Sequence, residues 1–265
     1  MIDFPMSLAD DSIRVELSGP AALITFDRPA TRNAMTEAMW RALPGQMRNL
    51  AEDARVKAVL FTGAGGHFST GADITEFANT YGSPAAARAT NDKIETARAA
   101  ISELPKPTIA VVPGLAVGAG CGLAMACDLR FASDIAHFAL PPARLGAAYP
   151  FPGIRQLVGL VGPARAKEML YSGRLVGADE ALRIGLADRV FATDALLEET
   201  ISYVENVVAL SSNSHRVAKQ LVDAVAMGAE ADESDLRDLF ESTFASEDFQ
   251  EGYRAFLEKR KPAFR

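Results

Sequence analysis

Residues 108–133 read TIAVVPGLAVGAGCGLAMACDLRFAS, and this stretch restricts the possible fold more than any other. Its first five residues, 108–112, are apolar or β-branched and have the length of a buried strand. Pro113 and Gly114 stop that strand. Gly118, Ala119, Gly120, Cys121 and Gly122 follow as a small-residue segment. Residues 123–126 then have helical character, and residues 128–131 read as the next short strand. A strand, a glycine loop and a helix start in that order aim unpaired backbone N–H groups at whatever sits above the loop. The spacing is G-x-G-x-G, without the third glycine of the dinucleotide fingerprint and without its acidic partner about 20 residues on. Two readings stay open. A peptide N–H at a helix N-terminus stabilises charge developing on a carbonyl oxygen, and close helix–strand packing selects Gly and Ala too.

With 265 residues the chain can bury a sizeable core, as one large domain or as a domain with an appendage. A net charge of −7 argues against non-specific nucleic-acid binding, which needs a basic surface. Cys121 and Cys127 lie in the apolar central stretch and form no C-x-x-C, so buried free thiols are expected. His67, His137 and His215 are scattered without metal-ligand spacing, and no bound metal is expected. No N-terminal signal pattern and no apolar run of about 18 residues is visible, which points to a cytoplasmic protein without a membrane partner.

Along the chain, residues 13–17 and 22–26 alternate around Gly19-Pro20 and predict a β-hairpin. Thr36 is a candidate cap for a helix carrying Met39, Trp40, Leu43, Met47 and Leu50 at helical spacing, with a kink or break at Pro44-Gly45. Residues 56–62 predict a buried strand, 84–103 a helix. A helix starting at Gly162-Pro163 is predicted to end at Gly173, and a short one over 178–184 at Gly185. Residues 186–191 read as a last strand. From Asp194 onward the pattern is helical, with Ser246 as a cap for the final helix. The chain thus divides into a mixed core, 1–195, and a helical region, 196–265, that serves as lid or interface.

Several segments in sequence order resemble the crotonase (enoyl-CoA hydratase/isomerase) superfamily. They are Arg28-Pro29 with Arg32-Asn33-Ala34, residues 59–63 (VLFTG), residues 68–74 (FSTGADI), the stretch from Lys106-Pro107 to Asp128, Leu145-Gly146, residues 162–187 and residues 256–262 (FLEKRKP). The resemblance implies an α/β fold: a core of repeated ββα turns in a spiral, with a C-terminal helical region that builds homotrimers, often paired into hexamers. It further implies a coenzyme A thioester as substrate or ligand, no permanently bound cofactor, and a thioester oxygen held between two backbone N–H groups. By motif position these belong to Ala72 and Ala119. Arg32 and Ala34 match the first CoA-contacting loop; Ala72, Asp73 and Ile74 match the turn that meets the adenine through its backbone. Phe256 and Lys259 match the segment that in some relatives reaches a neighbouring subunit's nucleotide. Residues 259–261 (KRK) also suit a solvated helix end that complements the helix dipole.

The chain also departs from the pattern the resemblance implies. Hydratases of the family use two glutamates to handle water and a proton; here the matching positions are Gly122 and Pro142. Neither residue exchanges a proton, so hydration by paired carboxylates is not expected. Pro150 stands where some dehalogenase and lyase relatives carry an aspartate. Tyr149 is left as a candidate proton or hydrogen-bond donor, or as a residue that packs a proline-rich loop. Arg144 suits a carboxylate or the surface; His67 is expected to face solvent, His137 to be an exposed strand residue, and Asp73 and Glu76 to lie too far along to act as bases. Three functions follow: an acyl-CoA enzyme that stabilises a thioester enolate, for which loss of CO2 needs no protein base; a non-catalytic acyl-CoA-binding pseudoenzyme; and hydrolysis of a carbon–carbon bond in a CoA-free diketone.

Overall fold

The structure is a computed structural model that describes residues 12–226, 228 and 234–264. The alternating segments at the N-terminus form the hairpin β1 (Ile13–Ser18) and β2 (Ala21–Phe26), antiparallel with Ile13 opposite Phe26. Helix α1 (Glu37–Glu52) follows, capped by Thr36, whose side chain accepts from Met39 N at 3.3 Å. Strand β3 (Ala58–Gly63), the short helix α2 (Phe77–Thr80) and the long helix α3 (Pro84–Ser102) come next. The organising stretch then supplies β4 (Thr108–Val112), β5 (Leu115–Val117), α4 (Ala119–Ala126) and β6 (Leu129–Ser133). After β7 (His137–Ala139) come α5 (Phe151–Ser172), β8 (Val176–Gly177), α6 (Ala178–Ile184) and β9 (Arg189–Phe191). Among the described residues four helices follow: α7 (Leu196–Val208), α8 (Ser212–Ala226), α9 (Ser234–Ser242) and α10 (Glu247–Glu258). Ser246 caps α10 by accepting from Phe249 N. The helical reading of the tail also ran over residues 227 and 229–233, which lie outside the described residues.

The strands form two sheets. The larger runs β1-β2-β3-β4-β6-β9 and is parallel from β2 onward; the smaller runs β5-β7-β8. Strand β4 is buried along its whole length, as a central parallel strand covered on both faces must be. Its start is tied to β6 by a reciprocal pair: Thr108 N donates to Asp128 Oδ2 and Asp128 N to Thr108 Oγ1, both at 2.8 Å. Asp128 therefore caps a strand end instead of opening the strand, and β6 starts at Leu129.

The structure adjusts other expectations. Helix α1 continues through Pro44 without a break, because Met39, Trp40, Leu43, Met47 and Leu50 form one buried face that packs against α3. That burial outweighs the single backbone hydrogen bond a proline removes. Gly162-Pro163 does open a helical segment, because Gly162, at φ +74° and ψ +165°, breaks α5 and residues 163–172 continue as helix to the Gly173 cap; the preceding segment from Phe151 is the part the sequence did not predict. The strands predicted over 56–62 and 186–191 are shorter or shifted, at 58–63 and 189–191. Cys121 and Cys127 are buried and unpaired. No helix among the described residues is long and apolar enough to cross a membrane.

Candidate active site

In an open parallel sheet, ligands bind beyond the carboxyl ends of the strands. Here three loops leave those ends and converge, from β2, β3 and β4. Asn33, fully buried with φ +59°, joins the first two. Its Oδ1 accepts from Arg28 N at 2.9 Å, and its Nδ2 donates to Ala64 O at 2.8 Å and His67 O at 2.7 Å. Its carbonyl accepts from Ser69 Oγ at 2.8 Å. Such a side chain spends all its donors and acceptors on backbone, which fixes the loops without a lattice of secondary structure.

The loop after β3 then runs beside β5: Phe68 N and Ser69 N both donate to Leu115 O, and Val117 N donates to Ser69 O at 2.9 Å. Gly71 follows with φ +92°, a conformation only glycine adopts without strain. A Cβ at Gly71 would lie 3.0 Å from Ala119 N and 2.9 Å from Val117 O. Ala72 is thus bonded directly to the residue that abuts the first amide of α4. Met35 N donates to Gly71 O and Asp73 N to Met35 O, so the amides on either side of Ala72 are engaged in fixing its position.

Gly118, with φ +57° and ψ −124°, turns the chain into α4, and Gly122 N is the first amide to bond within the helix, to Gly118 O at 3.0 Å. The amides of Ala119, Gly120 and Cys121 therefore belong to the open first turn. Close packing is real here as well: a Cβ at Gly120 would lie 2.3 Å from Ser69 O. Both sequence readings of the glycine segment describe this one junction.

Arg32 is exposed with φ +53°, Ala34 is buried, and Ile74 is 74% exposed. Ala34 O accepts from Arg28 Nη1, which also pairs with Asp73 Oδ2 at 2.7 Å. Asp73 is buried; its Oδ1 accepts from Thr75 N and Thr75 Oγ1. Burial alone would raise its pKa, but the hydrogen bonds from Thr75 and Arg28 and the Arg28 charge outweigh it and hold the carboxylate below its ordinary value. The Asp73 side chain is therefore committed to the loop. Phe256, 81% exposed, and Lys259, the left-handed cap of α10, lie elsewhere. Lys219 of α8 bonds Lys106 O and Asp128, and Lys57 Nζ bonds Phe264 O at 3.1 Å, so the tail sits at the amino ends of β3, β4 and β6. No hydrogen bond or ion pair among the described residues joins Phe256 or Lys259 to the loops that carry Ala72 and Ala119.

His67 does not simply face solvent: its Nδ1 accepts from Leu115 N at 3.2 Å, which leaves the ring as a loop anchor. Pro142 opens a 3-10 turn, residues 142–145, in which Arg144 is exposed. Gly122 is buried, and its missing side chain leaves room for Tyr149, whose Oη would lie 2.5 Å from a Cβ there. Burial pushes the Tyr149 phenol up, against the opposing pull of the Arg98 guanidinium, so it is protonated at neutral pH. Burial likewise pushes the Cys121 thiol up to about 12, which removes it as a nucleophile.

Sequence reading missed Arg98, Glu95 and Lys93. Arg98 is buried on α3; its Nε donates to Gly122 O at 3.2 Å, its Nη1 pairs with Glu95 at 2.7 Å, and its Nη2 reaches Gln156 Oε1. A signal existed: Arg98 shares the helical stripe of Ile94, Ala97 and Ile101, where an unpaired charge does not belong. Beside Ala72, a narrow crevice lined by Met35, Trp40, Tyr81 and Thr90 also holds Lys93, which pairs with Glu37 at 2.8 Å.

Two sheets threaded by short helices, with backbone amides gathered at the strand ends, define an α/β fold of the crotonase type. Comparison with known proteins agrees. The pattern of the family described as enoyl-CoA hydratase/isomerase matches residues 16–265. A Mycobacterium tuberculosis protein named "Probable enoyl-CoA hydratase" is 36% identical over 259 residues, 96% of this chain and 98% of that one. The crotonyl-CoA hydratase of Syntrophomonas wolfei is 34% identical over 265 residues, 97% of this chain and 99% of that one. The crystal structure of an enoyl-CoA hydratase/carnithine racemase from Magnetospirillum magneticum superposes with a TM-score of 0.92 at 30% identity, covering 97% and 96% of the two chains. The chain belongs to the enoyl-CoA hydratase/isomerase family.

Proposed function

We propose that this protein is an acyl-CoA enzyme that stabilises a thioester enolate between the N–H groups of Ala72 and Ala119, and that it does not hydrate enoyl-CoA by the paired-carboxylate route. The observation that carries this reading is the junction at Gly71, whose bare Cα abuts the first amide of α4 and brings its chain neighbour Ala72 beside that helix start. Two preorganised donors on one oxygen supply a few kcal/mol that water cannot, because their dipoles are aligned before charge develops. Gly122 and Pro142 hold no carboxylate, and Tyr149 fills the space beside Gly122. Chemistry in which the substrate itself yields the enolate, such as loss of CO2 from a 2-carboxyacyl thioester, suits such a site. Arg32, Ala34, Ala72, Asp73 and Ile74 would line the CoA path, and a homotrimer or hexamer would bring Phe256 and Lys259 from a neighbour. The relatives' names are those of enzymes, and no observation favours a purely binding role.

The test is crotonyl-CoA hydration, followed by loss of enoyl absorbance, alongside calorimetric titration with acyl-CoAs. The expected result is binding with hydration far below the typical enzyme turnover of about 10 s⁻¹. Hydration at or above that rate overturns the carboxylate argument; absence of binding overturns the acyl-CoA reading.

A further inference from the structure

Two glycines on different helices clear space for a single ring. A Cβ at Gly122 of α4 would lie 2.5 Å from Tyr149 Oη, and a Cβ at Gly153 of α5 would lie 2.3 Å from Tyr149 Cε1. Either substitution forces the ring to shift, so the phenol's position depends on two bare Cα atoms, one on each side. The same point beside Gly122 is 3.3 Å from Arg98 Nε and 3.4 Å from Arg98 Cδ. Hydroxyl and guanidinium therefore share the volume that a side chain at position 122 would fill. Arg98 is held there by Gly122 O, Glu95 and Gln156. Position 122 lies three residues beyond Ala119, about 4.5 Å along the helix axis. A thioester oxygen bonded by Ala119 N–H would put its α-carbon ahead of the helix start, the direction in which a side chain at position 122 tilts.

We propose that Tyr149 Oη exchanges the proton at the α-carbon of the thioester, with Arg98 as its positioning residue. The inference rests on the enolate reading above and assigns that site its acid. In the forward step the enolate's electron pair takes the phenolic proton: the Tyr149 O–H bond breaks, a Cα–H bond forms, and the carbonyl is restored. The phenolate left behind is stabilised by Arg98 and recovers a proton from water. At neutral pH the group is overwhelmingly a donor, so it suits reactions whose enolate arises by loss of a leaving group; by microscopic reversibility its small phenolate fraction removes the same α-proton slowly. The charged and titratable groups around the phenol are Arg98, Glu95 and Cys121.

The test incubates propionyl-CoA with the full-length protein in D2O from pD 7 to 10, reads α-hydrogen exchange by NMR, and measures binding by calorimetry. Wild type exchanges one of the two α-hydrogens slowly, and faster as pD rises because the small phenolate fraction grows. Tyr149→Phe keeps the ring and the packing; it binds within about twofold and exchanges 10²- to 10⁴-fold more slowly, the range of one acid–base group. Arg98→Gln moves the rise to higher pD with single-face exchange retained; an unmoved rise removes Arg98 from the assignment. Exchange in Tyr149→Phe equal to wild type, or binding by wild type without exchange at any pD, overturns the role of Tyr149. Absence of binding in wild type overturns the acyl-CoA reading and this inference with it.

Discussion

Ala119→Pro separates the backbone amide from everything else α4 does. Ala119 is the first residue of that helix, and the first intrahelical bond begins at Gly122 N. Proline at this position removes an N–H that no helical carbonyl uses and supplies a φ already suited to the helix. The neighbouring Gly71 presents no side chain to the ring; a Cβ there, 3.0 Å from the nitrogen, would crowd it. Folding stability should therefore change by no more than about 0.5 kcal/mol, the usual scale away from named structural features. In a chain of this size that is about 1–2 °C in Tm. Loss of one oxyanion donor costs about 10²–10³ in rate, or about 2.7–4 kcal/mol of transition-state stabilisation. The assay is α-hydrogen exchange of propionyl-CoA at saturation, with thermal unfolding on the same preparation and binding of a CoA enolate analogue as a second readout. A variant with wild-type Tm, wild-type exchange and undiminished affinity for the analogue refutes the assignment of Ala119 to the hole.

Gly153→Ala should destabilise by about 1–3 kcal/mol through overpacking against Tyr149 Cε1, and the added cost should largely disappear in a Tyr149→Ala background; additive urea midpoints would show that the two positions are not in contact. The depressed Asp73 pKa contributes stability above the unfolded value of about 3.9 and loses it as pH falls below that, because the unfolded chain takes up the proton first. Asp73→Asn should therefore be less stable at pH 7 yet lose less on acidification, so that denaturant midpoints at pH 7 and pH 3 differ by less than in wild type; parallel losses would count against the Arg28–Asp73 pairing.

What the sequence disclosed depended on whether the deciding contacts were local. The hairpin, the Thr36 and Ser246 caps and the glycine stops at 173 and 185 are set by near neighbours, and the structure has them where the residue types put them. Pro44 misled because the buried stripe of α1, not the proline, decides that helix. The first half of α5 went unpredicted because Pro150, Pro152 and Gly153 crowd its start; Pro150 is the N-cap and Pro152 falls in the first turn, where a missing N–H costs nothing. The junction of Gly71 with α4 was legible only through family resemblance, since Gly71 and Ala119 are 48 positions apart in the chain. The place of Tyr149 depends on side chains that two other positions lack, and no periodicity reports an absence.

Asn33 has a consequence for ligand binding. With Arg28, Ala64, His67 and Ser69 all tied to one buried amide residue, the loops that carry Ala34 and Ala72 surrendered their conformational entropy when the chain folded. A ligand arriving there meets a mould already set, and little of its interaction energy is diverted into ordering the protein. Any selectivity among acyl groups must then come from the shape of that mould, and a poorly fitting substrate finds no yielding loop to accommodate it.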